Sequence, residues 1–378
     1  MPNRREFLAM STLAAAGMAA GLRDASAKSS PHWKPYRNTI AIDGEGGFSL
    51  FYLDKDDATT PAEIAAAHAC GLSGVFFSVA PNGRFWLNDA AFEKTKDFIA
   101  KCNAKIAAHP DTFTKILTVD DLKSANHERK VGLIYRFQGT EPLGEDSDRI
   151  PMFRELGVRV IQLTHNRRNL VGDGCTEPSQ AGLSNYGYEV VERLNKEKIV
   201  VDLAHGAPQT IADGIKASKS PMLISHTGCR APSDLPRCTS DENLRALANK
   251  GGVAGVIFWP YLRTDTQPMA IDVIAHIEHM IDVCGEDHVG IGTDSQVPPV
   301  DRSGDFEKNN REFMKGMKED GIFDKNRPDD LYTFIPDLNM ANRFEVLATM
   351  LSARKHSDAR IAKILGGNFE RVLGEVWA

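Results

Sequence analysis

The sequence predicts an α/β fold, a (β/α)8 TIM barrel with extra C-terminal helices. After Pro35, short β-rich apolar runs alternate with longer amphipathic stretches. The apolar runs are continuous, as parallel strands buried on both faces require, and eight of them can be counted. A doubly wound open sheet is the main competitor. It would want fewer units and a Gly-rich phosphate turn after the first strand, and Gly44-Glu45-Gly46-Gly47 is not that fingerprint.

The expected strands span residues 39–42, 74–79, 131–137, 158–163, 199–203, 222–225, 252–258 and 289–292. Helical patterns lie between them at 61–70, 89–107, 119–128, 149–156, 186–196, 208–217, 241–249 and 271–284. The tail from Phe306 adds a charged, Pro-containing loop over 320–336 and helices near 340–351, 358–365 and 367–377, expected to pack on the outside of the barrel.

Residues 1–27 stand apart. Asn3-Arg4-Arg5-Glu6-Phe7-Leu8, an Ala/Gly/Met-rich run and Ala25-Ser26-Ala27 read as a twin-arginine signal peptide with a small-residue cleavage site. The export machinery is then a partner, the compartment is the periplasm or the exterior, and residues 28–378 form a single barrel domain. Such substrates cross the membrane folded, so a metal could be loaded beforehand in the cytoplasm. No other run reaches the ~18 apolar residues of a membrane span.

The 378 residues are 42% hydrophobic and 25% charged, with net charge −6. Residues 1–27 hold three arginines and two acids, so their removal leaves about −7. Without a basic patch, nucleic acid is excluded as a partner. Six scattered cysteines make no disulfide scaffold, although a Cys229–Cys238 bridge is open in an oxidising compartment.

In such a barrel the chemistry sits at the C-terminal ends of the strands, and polar residues end most of these runs. They are Asp43-Gly44-Glu45 after strand one, Gln138 after strand three, Thr164-His165-Asn166 after four, His205 after five, His226 after six and Asp294 after eight. One histidine at such a place is more often structural. Three with two carboxylates are the ligand mix suited to Zn²⁺ and similar metals, which activate water near neutral pH. Asp202 falls in the same run as His205 and suits barrel packing. Gly206 and Gly228 suit tight loops at the rim. Arg230 and Arg237 follow His226 in a loop where a guanidinium could grip a substrate carboxylate; for Arg230, surface solvation is an equal alternative.

Read in order, Gly157-Val158-Arg159-Val160-Ile161-Gln162-Leu163-Thr164-His165-Asn166, Val201-Asp202-Leu203-Ala204-His205, Pro221-Met222-Leu223-Ile224-Ser225-His226-Thr227, Pro236-Arg237 and Gly290-Ile291-Gly292-Thr293-Asp294 resemble the membrane (renal) dipeptidase family, over most of residues 38–378. The resemblance implies that His205 and His226 are the two histidine ligands of the second metal. It also implies that His165 stabilises an oxyanion, that Asp294 manages the proton of the attacking water, and that Arg237 clamps the substrate carboxylate. Asn166 and Arg230 join Arg237 as substrate-binding candidates. Family members are often dimers, so a homodimer is an open alternative.

Departures from the family's pattern bear on the metal. Glu45 and Gly47 replace a ligand histidine and a ligand aspartate, Gln138 replaces the bridging glutamate, and Gln296 stands at an acid position. Neither Gly47 nor a neutral Gln138 can serve two cations. Three readings follow: a one-ion hydrolase of dipeptides or small amides, with Glu45, His205 and His226 as ligands and Gln138 as a weak one; a metal-free barrel that binds a small molecule; or a metal-dependent hydrolase of another amide or lactone.

Overall fold

The computed structural model describes residues 32–81 and 89–378; the expected export signal lies outside them. Eight parallel strands run β1 (Ile42–Asp43), β2 (Gly74–Ser78), β3 (Val131–Phe137), β4 (Val158–Gln162), β5 (Val200–Asp202), β6 (Leu223–Cys229), β7 (Val253–Val256) and β8 (Val289–Ile291), each paired with the next. The β8–β1 seam is closed by backbone. Gly44 N–H donates to the Ile291 carbonyl at 2.8 Å, and Gly46–Gly47 pairs in parallel with Ser295–Gln296. Asp43 adds a side-chain clip, accepting from Thr293 N–H at 2.7 Å and Thr293 Oγ1 at 2.6 Å, and its burial pushes the carboxyl up to about 7. The barrel expected from the sequence is present.

The helices are α1 (Thr60–Cys70), α2 (Ala90–Ala108), α3 (Val119–Glu128), α4 (Arg149–Glu155), α5 (Asn185–Lys196), α6 (Pro208–Ala217), α7 (Asp241–Asn249), α8 (Ala270–Cys284), α9 (Phe306–Glu319), α10 (Arg343–Ala353), α11 (Asp358–Ala362) and α12 (Asn368–Trp377). Clear start signals made several of them legible. Thr118 and Asp121 form a capping box on α3, Pro208 opens α6, and the Ser240 hydroxyl caps α7. Among the described residues, no helix is long and apolar enough to cross a membrane.

Four elements differ from expectation. Strand β6 runs on to Cys229, because Gly228 and Cys229 gain a partner in Cys238–Thr239, so His226 lies within the strand rather than after it. A short strand, Phe113–Lys115, pairs beside the first half of β3. Helix α9 falls where no helix was expected; its apolar stripe is thin, with only Asn310 and Met314 buried. Finally, α12 does not lie on the outside of the barrel. Its Phe369, Val372 and Leu373 pack with Ile42, Phe76, Val160, Val200 and Val253 and plug the N-terminal end of the barrel.

The period of two along each strand sets the interior in layers. Phe76, Ile134, Val160, Val200 and Leu223 belong to the apolar plug. Two residues further along the same strands stand Ser78, Arg136, Gln162, Asp202 and Ser225. A polar layer thus sits directly above an apolar one, toward the C-terminal ends where the candidate site lies.

Candidate metal centre and active site

His205 occupies the turn after β5, three residues past Asp202, and Asp294 the turn after β8. Both hold left-handed backbone, φ 61° and 52°, which non-glycine residues adopt only where the surroundings enforce it. The enforcement is visible. The His205 carbonyl accepts Cys175 N–H at 2.7 Å; Asp294 N–H donates to the Glu45 carbonyl at 2.7 Å, and its own carbonyl accepts the Trp259 indole N–H at 2.7 Å. Gly206 stands in the tight turn expected of it, its N–H donating to the Leu203 carbonyl at 3.1 Å; Gly228 lies within β6 instead of a loop and allows close approach, since a Cβ there would stand 2.7 Å from Cys238 Sγ.

One ligand atom from each of His205, His226 and Asp294 lies within 4.8 Å of the other two. Hydrogen bonding fixes which ring nitrogens face inward. His205 Nδ1 is 2.8 Å from Asn166 Oδ1, an atom that only accepts, so Nδ1–H donates. Ser225 Oγ gives its single proton to Asp202 Oδ2 at 2.5 Å, so His226 Nδ1, 2.8 Å away, must donate to it. Both Nε2 atoms therefore present lone pairs, and they stand 2.9 Å apart. Burial, with Arg237 nearby, holds His205 well below the usual imidazole range and keeps it neutral. Two converging lone pairs with no proton between them, plus a carboxylate, fit a divalent cation and leave one tetrahedral position open.

The remaining candidates surround this group. His165, half-buried, stacks on the His205 ring at 4.2 Å between centroids. A Cβ on Gly174 would stand 1.9 Å from the His165 carbonyl, so the loop after β4 folds tightly behind His165 only with glycine there. Asn166 acts on His205 as described. Arg237 is 4% exposed, lines a small pocket with His205, and has Nε and Nη2 buried without a partner among the described residues. Arg230 lies in the same loop, half-buried, with Nε 3.6 Å from the exposed Asp234 carboxylate. The cysteines are free; Cys229 and Cys238 direct their thiols to the His276 and Tyr261 carbonyls, so the bridge left open by the sequence is not formed.

The carboxylate brought to the two histidines is that of Asp294. Glu45, read from the sequence as a ligand, does not join that group. Its Oε2 is 2.7 Å from Arg136 Nη1, and its Oε1 accepts from Ser78 Oγ at 3.3 Å. Gln138 is buried at the end of β3, its carbonyl accepting Gln162 Nε2–H at 2.9 Å. Beside Gly47 the Phe77 ring closes the space, 3.3 Å from where a Cβ would be.

Arg136 was missed in the sequence, as was the role of Asp202. Asp202 does more than support barrel packing: it accepts from Ser225 N–H at 2.9 Å, Ser225 Oγ at 2.5 Å and Arg136 Nη2 at 2.6 Å. The available signal was three polar residues, Arg136, Gln162 and Asp202, inside otherwise apolar strand runs. A concavity of about 840 Å³ lined by Thr39, His288, Lys363 and Arg371 holds none of the candidate residues.

Residues 39–311 match the family model for membrane dipeptidase, peptidase family M19. The chain belongs to this family. It is 25% identical over 346 residues to the dipeptidase tcpJ of Claviceps purpurea, a match covering 87% of this chain and 74% of that one. The crystal structure of an amidohydrolase from Pseudomonas aeruginosa superposes with a TM-score of 0.76 at 27% identity, covering 91% of this chain and 98% of the other. A metallopeptidase from Rhodobacter sphaeroides, solved with a phosphinate mimic of the dipeptide L-Ala-D-Ala, shares the fold with a TM-score of 0.71 at 20% identity, covering 90% and 100%. The M19 chain described here is a metallodipeptidase-like hydrolase, and its family implies a divalent metal. The donor set of His205, His226 and Asp294 fits one such ion.

Proposed function

We propose that this chain is an exported, single-metal dipeptidase that hydrolyses a dipeptide or related small amide in the periplasm or outside the cell. The observation that carries the reading is the convergence of two tautomer-fixed histidines and Asp294 beside the buried, unpartnered guanidinium donors of Arg237. His205, His226 and Asp294 would hold the ion, taken to be zinc on its preference for imidazole and carboxylate ligands. When bound, it supplies Lewis acidity, making a water more acidic and polarising the scissile carbonyl. The twin-arginine motif at Arg4-Arg5 supports the export.

The chain's own groups do the rest. Arg237 pairs its free N–H groups with the substrate's C-terminal carboxylate, and burial strengthens that pair. Water oxygen bonds to the carbonyl carbon, and its proton passes to the Asp294 carboxylate. His165, beside the His205 ring, donates a hydrogen bond to the oxyanion that develops. Collapse of the tetrahedral state breaks the C–N bond, and the proton held by Asp294 goes to the departing amine. Arg230, half-buried in the same loop as Arg237, is the second cation offered to the substrate's carboxylate.

A panel of dipeptides incubated with the purified protein, before and after chelation and on return of Zn²⁺, tests the reading. Turnover that is lost with the chelator and regained with the ion is expected. Thermal stabilisation by dipeptides without any turnover would replace it with a binding barrel.

A further inference from the structure

Arg136 is a buried charge that the mechanism does not use. Arg136 is fully buried in the polar layer and lies between two carboxylates, with Nη1 2.7 Å from Glu45 Oε2 and Nη2 2.6 Å from Asp202 Oδ2. Four neutral oxygens also accept from it: the Gly44 carbonyl at 3.1 Å, Ser225 Oγ at 3.0 Å, Gln162 Oε1 at 2.6 Å and, more distantly, the Phe137 carbonyl at 3.5 Å. Carboxylates together with neutral hydroxyl, amide and carbonyl oxygens are the donor types of a hard metal ion, assembled here around a guanidinium.

We propose that Arg136 is a built-in cation. Its guanidinium fills an internal cation site made by Glu45 and Asp202, holds Glu45 away from His205 and His226, and limits the barrel to one exchangeable divalent ion. The proposal rests on the reading above in taking His205, His226 and Asp294 as the place of that ion.

Two observations support it independently. A dication drawn to Glu45 would meet a fixed positive charge 2.7 Å from the carboxylate, in an interior that screens poorly. Arg136 also acts on the exchangeable site through Ser225. Its Nη1–H takes one lone pair of Ser225 Oγ while the hydroxyl proton goes to Asp202, which leaves the other lone pair for His226 Nδ1–H. Arg136 is therefore a positioning residue for His226 as well as a charge.

Truncating the side chain should open a cavity between two carboxylates that a free guanidinium ion can refill. The test compares thermal unfolding of metal-depleted wild type and Arg136→Ala in low-millimolar guanidinium chloride against equal sodium chloride and urea. A rise of several degrees in Tm is expected for Arg136→Ala in guanidinium only. Equilibrium dialysis against Mn²⁺ should then give Arg136→Ala one ion more than wild type, and Arg136→Lys the wild-type count. The matched neutral pair Glu45→Gln with Arg136→Met should show no guanidinium response.

An Arg136→Ala protein that responds no more than wild type overturns the proposal, as does a wild type that takes two ions. Should Arg136→Ala not fold, a second ion in Arg136→Lys, or guanidinium stabilisation of the neutral pair, overturns it. The melting arm uses metal-free protein, so it reads out even if wild type holds no ion. That last result would sink the single-metal reading and leave the guanidinium site standing.

Discussion

The Nε2 atoms of His205 and His226 face each other 2.9 Å apart with both Nδ1 hydrogens already committed, one to Asn166 and the other to Ser225. Removing the second of these partners should loosen the ion without removing a ligand. Ser225→Ala is expected to weaken metal affinity by about 10–100-fold, as loss of a group orienting a ligand histidine does. Competition against a chromogenic chelator measures it. An unchanged affinity in a variant that still melts cooperatively would show that Ser225 does not orient His226.

His165 and Arg237 should separate in steady-state kinetics. His165→Ala is expected to lower kcat by about 10²–10³-fold with little change in KM, because its hydrogen bond forms only as the oxyanion develops. Arg237→Ala should raise KM by about 10²-fold while largely sparing kcat, the scale of a lost charge-assisted pair of ~2–3 kcal/mol. The reverse pattern would exchange or void the two roles.

Phe369 plugs the barrel, its ring 5.5 Å from that of Phe76 and close against Gly290, where a Cβ would stand 2.7 Å away. Phe369→Ala should cost about 3–5 kcal/mol in urea unfolding, through lost burial and the cavity left behind. A cost below about 1 kcal/mol would mean that α12 does not seal the barrel end.

Glu63 on α1 supplies a pH dependence away from the site. Burial pushes its carboxyl up to about 7, against backbone N–H bonds from Leu50 and Ser49 that pull it down. The unfolded chain releases this proton first, near the ordinary carboxylate value. Between roughly pH 4 and 7 the folded state therefore binds more protons, and stability falls as pH rises, by up to about 3 kcal/mol from this group. Denaturation midpoints across that window should flatten in Glu63→Gln; an equal slope in both proteins would remove Glu63 as the cause.

The barrel was legible because each strand is a continuous apolar run and several helices carry their own start signal, as at Thr118, Pro208 and Ser240. Position at the end of an apolar run likewise marked His205, His226 and Asp294, although β6 continues past His226. What composition concealed was pairing. Glu45 looks like a ligand until Arg136 is placed beside it, and that placement depends on the strand period carrying Arg136 inward above Ile134 while Glu45 arrives from the turn after β1, two strands away. Asp202 looked like a packing residue for the same reason, since its partners Arg136 and Ser225 come from other strands. Helix α12 was misplaced because an amphipathic pattern shows that a face is buried and not against what.

The central claim is one divalent ion held by His205, His226 and Asp294, and metal content per chain by mass spectrometry tests it most directly. Protein purified without chelator should carry about one tightly held ion, lost in His205→Ala and Asp294→Ala and retained in Glu45→Gln. Retention in Asp294→Ala with loss in Glu45→Gln would contradict the account and return the ligand role to Glu45, as would two ions per wild-type chain or none.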